Sequence, residues 1–402
     1  MKIEKKLWIT LFAFGIFAIC FSGWIFRQST AREKLFWDNT IRCETKELKE
    51  GEIKSENIAL PEDFDVPKSI LFKTTHTIAE VWLDGEKIYE YGNEADAPGF
   101  MKTPGSCWHI VDIPGDSSGK NLEVRIIPVY EGYYGNEVSI AYGTRGDCIL
   151  KILTDSFETL MLSCGILFAS IICLVLYLGA VRRKRRDKTE AKIEIFLNLG
   201  FFSLLIAVWT LAQCGFLQFL IPDGRTLYFV DYFSFFLFPV PFNFLLYDIC
   251  KSRYHKGALI FPILYLANMA ADVLLQCTGI IDIFRLLPAT HVIMVANAVY
   301  TVALILYEAR KEGNDEAKKF QYPMCVLIVF GMAEMFLYYL RKFQQTSILL
   351  PIGTLLFIIM LIWIQVSQYY DQYIQKQKVI YLQKIANMDM LTEAMNLSLI
   401  HI

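Results

Sequence analysis

The chain has 402 residues and a formal net charge of -2, and 54% of its residues are hydrophobic and 14% aromatic. With its positive mean hydropathy, this composition is typical of an integral membrane protein and not of a soluble one. Nucleic acid is not supported as a partner, because the lysines and arginines cluster in turns beside hydrophobic runs, where membrane topology accounts for them.

The chain begins with a basic segment followed by an apolar run. Lys2, Lys5 and Lys6 precede the run 7–26, an arrangement that starts export as either a cleaved signal peptide or an uncleaved anchor. The run exceeds the usual signal core of about 7 to 15 residues, and the sequence FSGW near its end makes a poor cleavage site. The pattern favours an anchor over residues 1–27, with the next segment exported.

Residues 28–156 lack long hydrophobic runs and alternate polar with apolar side chains, which predicts a folded external β-domain. Its clearest piece is a hairpin, in which strands at 78–83 and 87–91 are joined by Asp84 and Gly85, a pair that suits a tight turn. Further strands are predicted at 70–75, 107–113, 122–129 and 138–142. Short strands at this spacing predict a β-sandwich.

The cysteines do not indicate a disulfide scaffold. Seven of the ten lie in or beside hydrophobic runs, where they are expected to act as small apolar side chains. The other three, Cys43, Cys107 and Cys148, allow at most one external disulfide, and its pairing stays open. No spacing of cysteine and histidine predicts a metal site.

The segments VWLDGEKIY at 81–89 and PGSCWH at 104–109 resemble the jelly-roll sandwiches related to galactose-binding domains. The resemblance implies an extracytoplasmic all-β jelly-roll domain with a ligand-sensing face, and carbohydrate is the implied ligand class. The candidate contacts are aromatic rings that would stack on a sugar and one histidine: Trp108, His109, Tyr130, Tyr133 and Tyr134. For Trp82 and Trp108, a place within a strand favours the core instead. The three tyrosines lie in a loop with a glycine, which fits exposure equally well.

Between residues 160 and 366, seven hydrophobic runs of roughly twenty residues are each long enough to cross a hydrocarbon core of about 30 Å as a helix. They centre on residues 160–181, 195–219, 227–247, 258–275, 291–307, 322–340 and 348–366. A seven-helix transmembrane domain in the lipid bilayer is therefore predicted over 157–367. Pro239 and Pro241 predict a kink in its third helix.

Basic residues predict the orientation, because Lys and Arg in short loops stay in the cytoplasm. Alternate turns on one side of the predicted bundle carry fourteen Lys and Arg residues, half of them directly after the first run, against four on the other side. The C-terminus is therefore expected in the cytoplasm of a bacterial cell and the residues before the first run outside it.

Ionisable side chains inside a membrane span are costly and often functional. The candidates are Asp231, Asp248, Asp272 and Glu334. Only Glu334 lies deep enough in its run to need a partner, and no neighbouring run offers Lys or Arg at that depth. A transport pathway would show several such groups at mid-depth, so packing or conformational switching is favoured for these residues.

Residues 368–388 contain neither Gly nor Pro, which predicts one unbroken cytoplasmic helix after the seventh span. Val366, Tyr370, Tyr373 and Ile380 follow a heptad-like spacing that Gln377 interrupts. The pattern fits equally a signalling stalk that pairs in a homodimer and a solvated helix extension.

The segment ANMDMLTEAMN at 386–396 resembles the opening of a GGDEF diguanylate cyclase domain, which reads Asp-x-Leu-Thr-Gly-x-x-Asn-Arg after a stalk helix. The matching residues are Asp389, Leu391, Thr392 and Asn396, whereas Glu393 replaces the usual Gly and Leu397 stands in place of Arg. The resemblance implies Mg²⁺ and GTP as the metal and substrate of a cyclase. The catalytic loop of the family lies further downstream, so no catalytic residue and no cofactor is expected within these 402 residues.

The last six residues, LSLIHI at 397–402, fit nothing before them and match the in-frame translation of a transposon-based sequencing adapter. We expect them to be an assembly artefact that replaces the true continuation. A natural truncation is the alternative.

An exported sandwich, seven spans and a cytoplasmic signalling segment together resemble the bacterial seven-transmembrane receptors with diverse intracellular signalling modules. The resemblance implies a homodimeric receptor that senses a small extracytoplasmic ligand and controls cyclic di-GMP synthesis.

The alternatives are the same receptor with a histidine-kinase output, a transporter or channel with an external domain, and an adhesion protein without output. A kinase is disfavoured because the stalk has no histidine before His401. A transporter would show paired mid-membrane charges and helices broken in repeated positions.

Overall fold

The computed structural model describes residues 41–43, 54–60, 68–93, 98–130, 138–187, 194–340 and 348–386. A β-region comes first, and a set of long apolar helices follows it. Several predictions lie outside the described residues, namely those for the anchor at 1–27, for Tyr133 and Tyr134, for Asp389, Leu391, Thr392 and Asn396, and for the segment 397–402.

The described strands form two antiparallel sheets of four strands each. In chain order they are β1 Ile41–Cys43, β2 Lys54–Ala59, β3 Lys68–Thr75, β4 Thr77–Leu83, β5 Glu86–Tyr91, β6 Ser106–Ile113, β7 Asn121–Pro128 and β8 Val138–Gly143. One sheet has the order β1-β8-β3-β6 and the other β2-β7-β4-β5. Side chains from both sheets, such as Phe72 from β3 and Val81 and Leu122 from the other sheet, form one shared hydrophobic core.

The predicted hairpin is confirmed, because β4 and β5 pair across a turn in which Asp84 and Gly85 both have positive φ. The four other predicted strands are β3, β6, β7 and β8, each within two residues of its predicted ends. The short strands β1 and β2 were not predicted. Each lies at the edge of its sheet, where a short or polar strand is common and leaves little periodic signal.

The first helix, α1 Arg145–Asp187, begins well before the hydrophobic run that predicted it, so the expected boundary after residue 156 falls inside a helix. Reciprocal capping starts this helix: Thr144 N donates to Asp147 Oδ2 at 2.8 Å, and Asp147 N donates to Thr144 Oγ1 at 3.2 Å. The early turns pack on the outer face of the first sheet, where Cys148 and Ile152 are buried. One continuous helix therefore joins the β-region to the first span.

The remaining helices are α2 Glu194–Gln213, α3 Gly224–Leu237, α4 Pro239–Ile249, α5 Ile260–Cys277, α6 Ile283–Arg310, α7 Asp315–Leu340 and α8 Leu349–Ala386, with short 3-10 helices at Phe216–Phe219 and Arg253–Leu259. Helices α3 and α4 form one stretch that is interrupted at Phe238, where the prolines predicted a kink.

Six helical stretches of the described chain are long and apolar enough to cross a membrane: Arg145–Arg182, Glu194–Gln213, Gly224–Ile249, Arg253–Cys277, Ile283–Arg310 and Asp315–Leu340. Helix α8 adds a shorter apolar part, Leu349–Ile364. Large apolar side chains on these helices are widely exposed, including Phe168 at 66%, Val292 at 69% and Val329 at 63%. Such faces are unfavourable in water and favourable against lipid. The chain therefore has the character of a multi-pass membrane protein.

The thiols of Cys107 and Cys148 are free and buried. Every pairing among the three external cysteines requires one of these two. The disulfide that the sequence left open is therefore absent from the structure.

Candidate functional site

The β-region rests on one end of the helix bundle, against the turns that join α2 to α3 and α5 to α6. We call this contact surface the junction. Its members are Lys73, His76, Phe100, Gly105, Trp108 and Tyr130 of the β-region and Gln218, Gly224, Tyr228, Gln276, Asp282, Phe284 and Arg285 of the bundle.

The backbones meet closely at one point of the junction. Gly105 has a φ of +87°, and a Cβ placed on it would lie 2.2 Å from the carbonyl oxygen of Gly224. Nearby, Gln276 Nε2 donates a hydrogen bond to Phe100 O at 2.6 Å. Only glycine at residue 105 permits this approach, because any side chain would overlap the first turn of α3.

Trp108 lies between the first sheet and the bundle. Its backbone N donates to Gln218 Oε1 at 2.8 Å, and its carbonyl accepts from Gln218 Nε2 at 2.5 Å. The strand pattern predicted a core position for Trp108. This prediction is wrong, because Trp108 packs with the cluster on the outer face of the sheet. The same prediction is wrong for Trp82, which is half-buried, with the guanidinium carbon of Arg125 lying 4.3 Å from its ring centroid.

His109 lies inside the β-region and not at its surface, with an exposure of 1%. Its Nε2 is 2.6 Å from Thr74 Oγ1 on one sheet, and its Nδ1 is 2.9 Å from Tyr89 Oη on the other. Burial lowers the pKa of the imidazole to about 3. His109 is therefore a neutral link between the sheets at pH 7.

His76 is a junction residue that the sequence did not single out. It stands between β3 and β4 with a φ of 53°, and its ring stacks on Phe284 of α6 with the centroids 4.7 Å apart. Its Nδ1 is 2.7 Å from Thr103 Oγ1. Burial lowers the pKa of its imidazole to about 3, so it enters the junction uncharged at neutral pH.

Tyr130 is buried, with an exposure of 4%, and does not offer a surface for stacking. Its hydroxyl donates a hydrogen bond to a carboxylate oxygen of Asp282, and the guanidinium of Arg285 lies 5.0 Å from its ring centroid. Burial raises the pKa of the hydroxyl, so it remains a donor. Trp108 and Tyr130 thus both face the helices, whereas His109 stays within the sandwich.

A small cavity lies in the junction, and we call it the junction cavity. Lys73 and Trp108, which are cross-strand neighbours, line it from the β-region, with the Lys73 amino group 5.7 Å from the Trp108 ring centroid. Gln213, Tyr228 and Asp231 line it from the bundle. Burial lowers the pKa of the Lys73 amino group below its usual value.

A second cavity lies within the helices, and we call it the bundle cavity. Asp231 and Glu334, which the sequence treated separately, both line it, together with His291. Asp231 is seven residues from the start of α3 and Glu334 six from the end of α7, which is about 10 Å from the junction end in each case. The two cavities share Gln213, Asp231 and Tyr232.

Each intramembrane carboxylate has hydrogen-bond donors. Glu334 Oε2 accepts from Leu349 N at 2.5 Å and Leu350 N at 3.0 Å, at the start of α8, where exposed N–H groups favour an anion. Asp231 Oδ1 accepts from Gln213 Nε2 at 2.6 Å. Asp272 lines neither cavity; it accepts from Asn268 Nδ2 at 2.8 Å.

The end of the bundle opposite the junction is held by Glu308, whose side chain is fully buried. Its Oε1 accepts from the backbone N of Lys251 at 2.9 Å and of Ser252 at 2.6 Å, and its Oε2 accepts from Asn314 Nδ2 at 2.8 Å. Two of the turns that are rich in basic residues therefore meet at this far end.

The sequence analysis missed His76, Gln218, Asp282 and Glu308, because a single polar residue at the end of a helix or strand has no periodic signal.

Among the described residues, no group of three or more His, Cys, Asp and Glu side chains could hold a metal ion. None of the protein-family models matches the chain, and no curated protein or solved structure matches it.

Proposed function

We propose that this protein is a bacterial transmembrane receptor in which an extracytoplasmic jelly-roll domain and a seven-helix bundle act as one sensory unit that controls a cytoplasmic GGDEF diguanylate cyclase. The junction carries this proposal. Because the β-region contacts α3, α5 and α6 directly, a ligand that favours one arrangement of the domain also favours one arrangement of the helix ends.

The strand order supports a jelly roll. That fold places eight strands in two four-stranded sheets through two Greek keys, and the orders β1-β8-β3-β6 and β2-β7-β4-β5 follow this pattern. The seventh span is supported by Leu349–Ile364, which packs against α7 and α1 and so closes the bundle.

The positions of the basic turns support the orientation. The turns near Lys251 and Asn314 meet at Glu308, at the end of the bundle opposite the β-region. Insertion with the basic end in the cytoplasm would leave the β-region outside. The ligand would then be a small extracytoplasmic molecule, and carbohydrate is the class that the resemblance implies.

Helix α8 supports the output and the homodimer. It continues without a break from the bundle to Ala386, three residues before Asp389 of the GGDEF opening motif. Beyond the bundle its apolar side chains are exposed, and Tyr373 and Ile380 are separated by one heptad. Pairing of two copies along this face would bring two cyclase halves together, each with its own Mg²⁺ and GTP.

The first test is to read the source DNA through the codon for Asn396 with long reads. A frame that continues into Arg and then into a Gly-Gly-Asp/Glu-Glu-Phe loop is the expected result. A genuine stop after Ile402 would remove the cyclase from the proposal.

The second test uses the full-length parent receptor, whose gene the DNA sequence is expected to reveal. Gly105→Ala, which disturbs the junction, is expected to change cyclic di-GMP in expressing cells by more than about threefold, because it changes how the domain rests on α3. Gly119→Ala is the control, since Gly119 also has a positive φ but no atom of the described residues lies within 4 Å of the added Cβ. Equal output from both variants and the wild type, at equal protein level, would show that the junction does not control a cyclase.

A further inference from the structure

We propose that the bundle cavity binds a small organic ammonium ion, at a site separate from any ligand site of the β-region. The proposal concerns the helices alone and holds whether or not a cyclase follows α8. It rests on three properties of the lining: hydrogen-bond acceptors, negative charge and aromatic rings.

The acceptors are concentrated where α2 meets α3. Gln213 Nε2 donates a hydrogen bond to Asp231 Oδ1, and Gln213 Oε1 is buried and has no hydrogen-bond partner among the described residues. Within the described part of the chain, the Asp231 carboxylate accepts no hydrogen bond other than the one from Gln213. A ligand that fits this pair must donate hydrogen bonds, and an ammonium group has three donors and no acceptor.

The charge of the lining also favours a cation. Asp231 and Glu334 line the cavity from two different helices, and none of its described lining residues is Lys or Arg. Lys73, which lies within electrostatic range of Asp231, lines only the neighbouring junction cavity. Two carboxylates on one cavity favour a cationic ligand over a neutral or anionic one.

The walls are aromatic. Trp209 and Phe235 pack with their centroids 5.5 Å apart, and Phe235 lies edge-on to His291 at 5.9 Å. Tyr338 completes this side, 5.6 Å from His291. Aromatic faces attract a desolvated ammonium group and also accommodate an apolar substituent. The expected ligand class is therefore a primary amine that carries a small aromatic or aliphatic group.

The bundle cavity adjoins the junction cavity. Gln213, Asp231 and Tyr232 line both cavities, and we expect a ligand to enter from the junction past these residues. The site lies about two helical turns from the junction end, so a ligand need not cross the bundle to reach it.

The test is equilibrium dialysis of the purified 402-residue chain in detergent with radiolabelled 2-phenylethylammonium. The uncharged 2-phenylethanol serves as the matched comparison on the wild type, where folding is not in question. We expect saturable binding of the amine, at least about tenfold tighter than that of the alcohol. Asp231→Asn should weaken amine binding by about tenfold or more, and Glu334→Gln should weaken it in the same direction.

Asp272→Asn is the control, because Asp272 is an intramembrane carboxylate outside both cavities, and it should leave the affinity within about twofold. Equal affinity for amine and alcohol would overturn the proposal, as would amine binding that survives both cavity substitutions or no saturable binding at millimolar amine. None of these readouts depends on cyclic di-GMP, so failure here is distinct from failure of the proposed receptor output.

Discussion

The side-chain amide of Gln218 hydrogen bonds to both backbone groups of Trp108, as a neighbouring β-strand would. The Trp108 N–H donates to Gln218 Oε1 at 2.8 Å, and Gln218 Nε2 donates to the Trp108 carbonyl at 2.5 Å. Because β6 is the edge strand of its sheet among the described strands, these outward backbone groups have no partner in a described strand. One side chain from the bundle therefore occupies the open edge of the sheet.

Replacing this side chain should loosen the junction. Gln218→Ala removes two hydrogen bonds to partly buried backbone groups, and we expect a loss of about 1 to 3 kcal/mol in the free energy of unfolding of the β-region. Hydrogen exchange at the Trp108 amide should become faster. Gln377→Ala, at an exposed position on α8, is the control and should leave both quantities unchanged; an unaltered Trp108 amide in Gln218→Ala would contradict the assignment.

The close approach of Gly105 and Gly224 predicts a difference between two glycine substitutions. Gly119→Ala should lower the free energy of unfolding by only about 1 to 2 kcal/mol, which is the strain of a side chain at positive φ. Gly105→Ala adds a contact of 2.2 Å with the Gly224 carbonyl oxygen and should lower the free energy of unfolding by at least about 2 kcal/mol more. Thermal unfolding in detergent measures both, and equal losses would mean that the backbones do not meet as described.

Two buried histidines predict that acid destabilises the β-region. The pKa values of His76 and His109 are lowered to about 3 by burial, below the unfolded value of about 6.5. Between these values the unfolded chain binds more protons, so the free energy of unfolding falls as the pH drops. At pH 5 each histidine should cost roughly 2 kcal/mol relative to pH 7.

Unfolding midpoints measured from pH 7 to pH 5 check this sign and size. His109→Gln, which cannot titrate, should remove about half of the pH dependence. Added salt should change it little, because burial and not an exposed ion pair lowers these pKa values. A midpoint that is constant with pH, or that rises on acidification, would refute the buried neutral imidazoles.

The far end of the bundle should depend on Glu308. Glu308→Ala leaves the backbone N–H groups of Lys251 and Ser252 without their acceptor, and we expect a loss of about 2 to 4 kcal/mol in the free energy of unfolding. Glu312→Ala, at an exposed residue close to the same turn, should cost less than about 0.5 kcal/mol. Similar midpoints for the two variants would show that Glu308 is not a structural link.

The sequence by itself determined the membrane class, most spans and most strands of this protein, because both rest on patterns that are local in the chain. Twenty apolar residues are long enough for a bilayer wherever they occur, and alternation with period two marks a half-buried strand. The Asp84 and Gly85 turn was predictable for the same reason, since two adjacent residues set its backbone.

Only the tertiary structure decided the start of α1, the position of Trp108 and the placing of Asp231 and Glu334 on one cavity. The apolar runs do not reveal which side of a helix faces a neighbour, so the depth of Glu334 was readable but its partners at Leu349 and Leu350 were not. Antiparallel helices bring residues about a hundred positions apart to one depth. Which of them touch depends on helix rotation and on the docked β-region, and neither is encoded in a local pattern.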